Sequence, residues 1–183
     1  MDKEKIVQEA YLVAHKIEEN GNFPNNPNLP LMIYKGALLI HPDENEEAIK
    51  KIFAQNGYTN AWVDGIFDYH HYHSNTHEVM GVYCGKADVQ FGGEHGVCIE
   101  LDKGDVVVIP AGVAHKKLNS SDDFTVVGAY PNGAEYNIKY GHEEERPEAD
   151  NDIAKVKNPD NDPVYGSKGH LFECWYKQNC ENV

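Results

Sequence analysis

Three histidines and one glutamate, in two short stretches of the chain, have spacings that make sense if all four side chains converge on one metal ion. His71 and His73 are two residues apart. Residues i and i+2 of a β-strand point to the same face of a sheet, so both imidazoles can reach one ion. Glu78 follows a polar Ser-Asn-Thr turn, which would let its carboxylate arrive from the neighbouring strand. His115 follows an apolar Val/Ile run that ends in a Pro-x-Gly turn.

This set of donors indicates the kind of metal and the kind of chemistry. Imidazoles with a carboxylate suit Fe, Mn, Ni, Co, Cu or Zn rather than Ca or Mg. Four protein ligands on an octahedral ion leave open positions, which favour catalysis over a closed structural site. With a divalent ion the local charge is about +1, which attracts an anionic oxygen. We therefore expect one divalent transition metal ion and a small polar organic ligand or substrate, for example an anionic one.

The spacing of the two stretches resembles the two signature motifs of the cupin superfamily. Gly-x5-His-x-His-x4-Glu-x6-Gly runs from Gly65 to Gly85, and Gly-x5-Pro-x-Gly-x2-His-x3-Asn runs from Gly104 to Asn119. None of the ten specified positions departs from the motifs. The resemblance implies a small antiparallel β-barrel, a jelly roll or double-stranded β-helix, with the metal inside. It also implies the metal ligands: His71, His73, Glu78 and His115.

Other segments resemble a small, functionally uncharacterised bacterial branch of that superfamily, often labelled YjlB-like. This resemblance covers most of the chain and implies no particular reaction. The segments are Phe23-Pro24-Asn25-Asn26, Leu29-Pro30, residues 64–73, Phe91-Gly92-Gly93, Gly128-Ala129-Tyr130-Pro131 and Asp162-Pro163-Val164-Tyr165-Gly166.

Three further histidines are assigned other roles. His70 and His77 each neighbour a proposed ligand, so they should point to the opposite face, as groups around the ligands or at the surface. His77 becomes a substitute ligand if the turn before Glu78 twists. His95 lies in a glycine-rich turn, which predicts an exposed loop residue.

Two residues near the motifs are candidates for acid-base catalysis. Tyr69 shares the strand parity of His71, and Lys117 lies two residues beyond His115. Each has a simpler role available, since Tyr69 can be a packing aromatic and Lys117 can extend to solvent. Asn119, which completes the second motif, is expected to fix the backbone near the end of the barrel.

Two helices and one extended segment are predicted before the motifs. Apolar residues at helical spacing, followed by Asn20-Gly21, predict an amphipathic helix over residues 3–20. Residues 29–40 are apolar and interrupted by proline and glycine, which favours an extended segment. A second helix is predicted from an N-cap at Asp43 to Gly57. Its buried stripe would consist of Ala48, Ile49, Ile52 and Phe53.

The length of 183 residues suits one structural domain. We predict a helical and extended N-terminal segment (1–57) that packs on the barrel, the barrel core (58–140), and an acidic excursion with a C-terminal tail (141–183). The tail is apolar and aromatic at residues 171–176, so it should return to the body or pack on another subunit. The fold class is therefore mainly β, with N-terminal helical additions.

Composition excludes several classes of partner. Sixteen basic against thirty acidic residues give a net charge of −14, which argues against nucleic acid and against an anionic membrane surface. No segment has the pattern of a signal peptide or the length of a transmembrane run, so we expect a cytoplasmic location. The superfamily commonly dimerises, and the apolar N-terminal helix and aromatic tail offer surface to cover, which predicts a homodimer.

Four cysteines without a CxxC pair are interpreted as reduced thiols. Cys84 shares the strand parity of Glu78 and could face the barrel interior, as a ligand, a redox group or a small buried hydrophobe. The others are Cys98, Cys174 and Cys180.

The sequence leaves two functional hypotheses open. The first is a metal-dependent enzyme on a small polar organic molecule, either an oxygenase if the metal is Fe(II) or an isomerase, lyase or decarboxylase if it is Mn, Ni, Co or Zn. The second is a non-catalytic cupin that binds a small ligand or a metal. A third, a structural cupin with an empty site, conflicts with the intact ligand set.

Overall fold

Two antiparallel β-sheets form the body of the protein, in a computed structural model that describes residues 6–180. The strands are β1 Tyr11–His15, β2 Leu31–Lys35, β3 Tyr58–Asp64, β4 Glu78–Cys84, β5 Lys86–Phe91, β6 Val97–Asp102, β7 Val106–Ile109, β8 His115–Ser120 and β9 Thr125–Pro131. The larger sheet has the order β1-β2-β7-β4-β9-β3 and the smaller has the order β6-β5-β8. The architecture is the predicted jelly roll.

The central strands of the six-stranded sheet (β2, β7, β4 and β9) are largely buried on both faces, which explains their apolar runs. Most residues of the edge strand β3 are exposed. The inner face of the sheet packs against the smaller sheet, where Met80 and Val107 share a core with Phe91. Its outer face contributes Val79 and Val108 to a second core. All four residues of β7 are therefore buried, whichever way they point.

Helix α1 (Glu46–Gln55) covers the outer face. The predicted stripe of Ala48, Ile49, Ile52 and Phe53 is buried, as expected. The predicted N-cap is wrong, because Asn45 rather than Asp43 accepts a hydrogen bond from the Glu47 backbone N–H. The helix approaches β4 closely at Gly81, where a Cβ would lie 2.9 Å from the Ile49 side chain.

The predicted N-terminal helix is also wrong. Residues 3–5 lie outside the described part of the chain, and β1 occupies the centre of the remainder. Val13 pairs with Ile33 of β2 in an antiparallel register. Pairing with β2 overrides the weak helix preference of this segment. Leu12 packs in the core on the outer face of the large sheet, and Ile17 packs in the core between the two sheets.

The C-terminal region returns to the body, as the aromatic tail predicted. It contains a 3-10 turn (Glu143–Glu145), helix α2 (Glu148–Lys155) and a π-helical turn (Phe172–Tyr176). Trp175 is 2% exposed, and its indole N–H donates to the Pro30 carbonyl at 2.9 Å. Strands β1 and β2, from the predicted N-terminal segment, also belong to the large sheet. The division of the chain into segments 1–57, 58–140 and 141–183 stays a prediction.

The interpretation of all cysteines as reduced thiols is wrong for one pair. Cys174 and Cys180 form a disulfide across the π-helical turn, a pairing that the absence of a CxxC motif concealed. Cys84 and Cys98 are free. Cys84 does not face the interior, because the strand is irregular between Val82 and Cys84 and the thiol contacts the Asp123 carboxylate at 3.2 Å.

Within residues 6–180, no helix combines the length and the apolar character that spanning a bilayer requires.

Candidate metal centre

The four predicted side chains meet between the two sheets. Glu78 is the first residue of β4 in the large sheet, and His115 is the first residue of β8 in the small one. His71 and His73 lie in the extended segment before β4, where His71 pairs with His115 through two backbone hydrogen bonds of 2.9 and 3.3 Å. One ring nitrogen from each histidine lies within 4.8 Å of the others. All four side chains are at most 6% exposed.

The carboxylate of Glu78 completes the cluster. Its Oε2 lies 3.0 Å from Nε2 of His73 and 3.4 Å from Nε2 of His115. The two sheets therefore each contribute donors to one buried point.

Each of the three imidazoles is held by its other nitrogen. A backbone carbonyl can only accept, so each Nδ1 carries a proton, and Nε2 is the nitrogen that faces the cluster. This is the usual arrangement of metal-binding histidines, whose second nitrogen donates to a carbonyl or carboxylate. The acceptors are the carbonyls of Tyr69 for His71 (3.0 Å), of Val113 for His115 (3.1 Å) and of Asn137 for His73.

Glu78 is held in the same way through one oxygen. The Tyr130 hydroxyl donates to Glu78 Oε1 at 3.2 Å, and the Trp62 indole N–H donates to that hydroxyl at 2.8 Å. Glu78 Oε2 is buried and has no hydrogen-bond partner among the described residues. A buried carboxylate oxygen without a donor is costly unless a cation faces it. The residues present therefore fit a metal ion.

The protonation states also fit. Burial and the neighbouring His115 lower the pKa of His71 to about 3, so this ring is neutral at neutral pH. Burial alone raises the pKa of Glu78, but the contacts with His73 and His115 outweigh it and hold the pKa well below its ordinary value. Burial lowers the pKa of His73, but the Glu78 carboxylate and the Asn137 carbonyl outweigh it and raise this pKa above its ordinary value. A metal requires a neutral imidazole and an ionised carboxylate, so its binding would displace any proton on Nε2 of His73.

A cavity of about 180 Å³ adjoins the four side chains. Sequence reasoning missed most of its wall, because the residues come from β3, β9 and the connections between strands. One sequence pattern could have identified Tyr130 as a lining residue: side chains alternate between the two faces of β9, so Tyr130 lies on the same face as Val126. The other lining residues are Trp62, Val63, Asp64, Gly65, Ile66, Phe67, Met80 and Tyr136.

Neither candidate for acid-base catalysis lines this cavity. Tyr69 is 40% exposed, and its ring centre lies 5.7 Å from that of His71, on the outside of the site. Lys117 pairs with Val89 in the small sheet, and its backbone N–H donates to the Phe67 carbonyl at 2.9 Å. Catalytic roles for Tyr69 and Lys117 stay predictions.

The three other histidines discussed in the sequence analysis, His70, His77 and His95, lie away from the four proposed ligands, as predicted. His70 packs against Phe23, with ring centres 5.5 Å apart. His77 is buried on the opposite side, where its Nδ1 accepts from the Ala111 N–H at 2.9 Å and its ring contacts Trp175. The turn therefore does not make His77 a substitute ligand. His95 is exposed.

Replacing Tyr130 with phenylalanine is expected to weaken metal binding by about 10- to 100-fold, because Glu78 loses the hydroxyl that orients it. Isothermal titration with Zn²⁺ measures the change. Tyr136→Phe is the matched control, since Tyr136 lines the same cavity and stacks on Tyr130 with ring centres 4.6 Å apart. Equal affinities for Tyr130→Phe and the unmodified protein would contradict a role for this hydroxyl.

Comparison with known proteins gives the following matches. A family model described as Cupin matches residues 68–142. The "Uncharacterized protein YjlB" of Bacillus subtilis (strain 168) is 46% identical over 159 residues, which cover 87% of this chain and 93% of that protein.

Two solved structures also match, at low similarity. The acireductone dioxygenase from Bacillus anthracis, with a cadmium ion in its active centre, is 22% identical with a TM-score of 0.37; the match covers 51% of this chain and 63% of that one, which is less than two thirds of its length. The dTDP-6-deoxy-D-glucose-3,5-epimerase RmlC from Legionella pneumophila Philadelphia 1, in complex with dTDP-4-keto-L-rhamnose, is 12% identical with a TM-score of 0.38; the match covers 69% of this chain and 73% of that one.

Proposed function

Because the chain belongs to the cupin family, in the branch represented by YjlB of Bacillus subtilis, we propose that it is a metal-dependent enzyme acting on a small polar organic molecule. One divalent transition metal ion would be held by His71, His73, Glu78 and His115. The observation that carries the proposal is the convergence of the buried Glu78 Oε2 with the ring nitrogens of the three histidines, whose Nδ1 atoms are held by backbone carbonyls.

The chain's own residues prepare the site for a ligand. The carbonyls behind the imidazoles fix their tautomers, and Tyr130 fixes one oxygen of Glu78, so little reorganisation is needed when a cation enters. When bound, a divalent transition metal supplies Lewis-acid chemistry, or redox chemistry if it is iron. The adjoining cavity admits a small molecule and its apolar wall limits water. An oxygenase, isomerase or lyase reaction is compatible with these features.

One observation favours the alternative, a cupin that binds a small ligand or metal without turnover. Among the described residues that line the cavity, Asp64 and the tyrosines are the proton-transfer groups besides the four proposed ligands. Neither Tyr69 nor Lys117 lies there. If the reaction needs a separate general base, the cavity supplies few choices. The cytoplasmic location and the homodimer predicted from the sequence belong to the same proposal.

The two functions separate in one experiment. The protein, purified without a histidine tag or chelator, is expected to contain about one equivalent of a transition metal by plasma mass spectrometry. Loaded in turn with Fe(II), Mn, Ni, Co or Zn, it is screened for O₂ uptake and for conversion of small hydroxy-carbonyl compounds. Turnover supports the enzyme. Thermal stabilisation by a ligand, without turnover, supports the binding protein. Failure to bind any of these metals would contradict the metal-dependent enzyme and would leave a cupin that binds a small ligand without a metal.

A further inference from the structure

The cavity beside the four side chains also indicates which class of molecule enters it, an inference that rests on the proposed function. We propose that the ligand is a small molecule with a single flat ring, which carries an oxygen-bearing head group for the metal and no charge on the ring end.

Four aromatic side chains line the cavity besides the proposed histidine ligands: Trp62, Phe67, Tyr130 and Tyr136. Trp62 packs directly on the backbone of β9 at Gly128, where a Cβ would lie 2.2 Å from the indole. Next to it, Tyr130 and Tyr136 are stacked with an interplanar angle of 22°. On the other side, the Phe67 ring meets His71 at 71°, with centres 5.1 Å apart. Flat aromatic walls favour a flat ring, through stacked and edge-on contacts.

The charges around the cavity disfavour a second anionic group on the ligand. Among the described lining residues none is a lysine or an arginine, and Asp64 and Glu78 are the acids. An anionic head group can be balanced by the metal, but a carboxylate or phosphate at the far end would meet aromatic rings and Asp64. Such a group would face the Asp64 carboxylate and give up part of its hydration to the rings, with no cationic side chain of the lining to compensate. The net charge of −14 on the chain also disfavours binding of a ligand with a second negative charge.

The size of the cavity and the side chains at its opening indicate that the ring of the ligand is small and apolar. Its volume of about 180 Å³ is below the roughly 300 Å³ at which sites for drug-sized ligands begin. Three large apolar side chains at the cavity are left in solvent: Val63 is 38%, Phe67 is 47% and Tyr136 is 40% exposed. Exposed apolar groups clustered around an opening mark a binding surface. A one-ring ligand would cover them while its head group reaches the histidines.

Three probes with the same chelating head group test the inference on the Co²⁺-loaded protein. Benzohydroxamate has an uncharged ring, acetohydroxamate has none, and 4-carboxybenzohydroxamate carries a charge at the far end of the ring. Co²⁺ absorption reports whether the head group reaches the metal, and calorimetry gives each affinity. We expect benzohydroxamate to bind about 10- to 100-fold more tightly than acetohydroxamate, as burial of one ring predicts. We expect the added carboxylate to cost about tenfold or more.

Two variants locate the contact with the ring. Phe67→Ala and Tyr136→Ala are expected to reduce the preference for benzohydroxamate to within about threefold of equality, with Co²⁺ affinity nearly unchanged. Tyr140→Ala is the matched control, because Tyr140 is 48% exposed and does not line the cavity.

The outcomes distinguish this inference from the function on which it rests. If Co²⁺ does not bind, the proposed function fails and this inference fails with it. If Co²⁺ binds and the hydroxamates bind equally, or the charged ring binds best, the ligand class is wrong and the metal site stands. If Phe67→Ala changes the mass in light scattering and leaves the preference intact, the aromatic mouth is a contact between copies of the chain, and the ligand class is again wrong.

Discussion

His71→Ala and His115→Ala are each expected to reduce the bound metal from about one equivalent to background. Each variant removes one imidazole from a cluster whose donor nitrogens lie within 4.8 Å of one another. Loss of a group that merely orients a ligand costs about 10- to 100-fold in metal affinity, so loss of a ligand should cost more than about 100-fold. Plasma mass spectrometry after dialysis, and titration with Zn²⁺, measure the effect.

Two further variants sharpen this test. Glu78→Gln keeps the shape of the side chain but removes the charge that balances the cation, and it is expected to weaken binding by more than about 100-fold as well. His95→Ala is the control, because His95 is an exposed histidine away from the cluster. Circular dichroism verifies that each variant is folded. Full metal content in folded His71→Ala and His115→Ala would show that the ion binds elsewhere.

Asp162→Ala is expected to destabilise the protein by more than about 4 kcal/mol, a large fraction of the roughly 5–15 kcal/mol typical of a domain. Asp162 is 0% exposed, and it holds the C-terminal region on the barrel. Alanine would leave four donors without an acceptor, three of them buried and one partly buried, at about 1–3 kcal/mol for each buried donor before relaxation. The donors are the hydroxyl of Tyr34 (2.7 Å) and the backbone N–H groups of Val164 (2.9 Å), Tyr165 (3.0 Å) and Leu171 (3.2 Å).

Urea unfolding followed by tryptophan fluorescence measures this loss, since Trp175 packs in the same core as Tyr34 and Leu171. Asp160→Ala is the matched control, because Asp160 is exposed two residues away, and it should stay within about 0.5 kcal/mol of the unmodified protein. A similarly small change for Asp162→Ala would mean that water replaces the carboxylate, and that this anchor contributes little.

The four proposed ligands could be identified from the sequence because two local motifs with fixed spacing contain them. The side chains that hold the ligands in place could not. Trp62 and Tyr130 reach Glu78 through the pairing of β3 with β9, which shifts register between Thr59 and Trp62. A bulge of this kind changes which face a residue occupies, and no local pattern in either strand reveals it.

The N-terminal region shows the opposite failure. A helical period was present in the sequence, but β1 forms because β2 offers an open edge to which it can pair. Long-range pairing of this kind is decided by the partner strand rather than by the segment itself. The burial stripe of α1 was predicted correctly because a helix needs no distant partner for its hydrogen bonds.

The pairing of His71 with His115 has a consequence for the order of folding. The two histidines lie far apart in the chain and on either side of β4, β5, β6 and β7, so the cluster cannot assemble until these strands have paired. Non-local pairings form late and slowly in β proteins, because loop closure must precede them. Metal uptake during refolding should therefore lag behind the recovery of the β-sheet circular dichroism signal. The ion would then bind only after the native topology has formed, and it would not initiate folding.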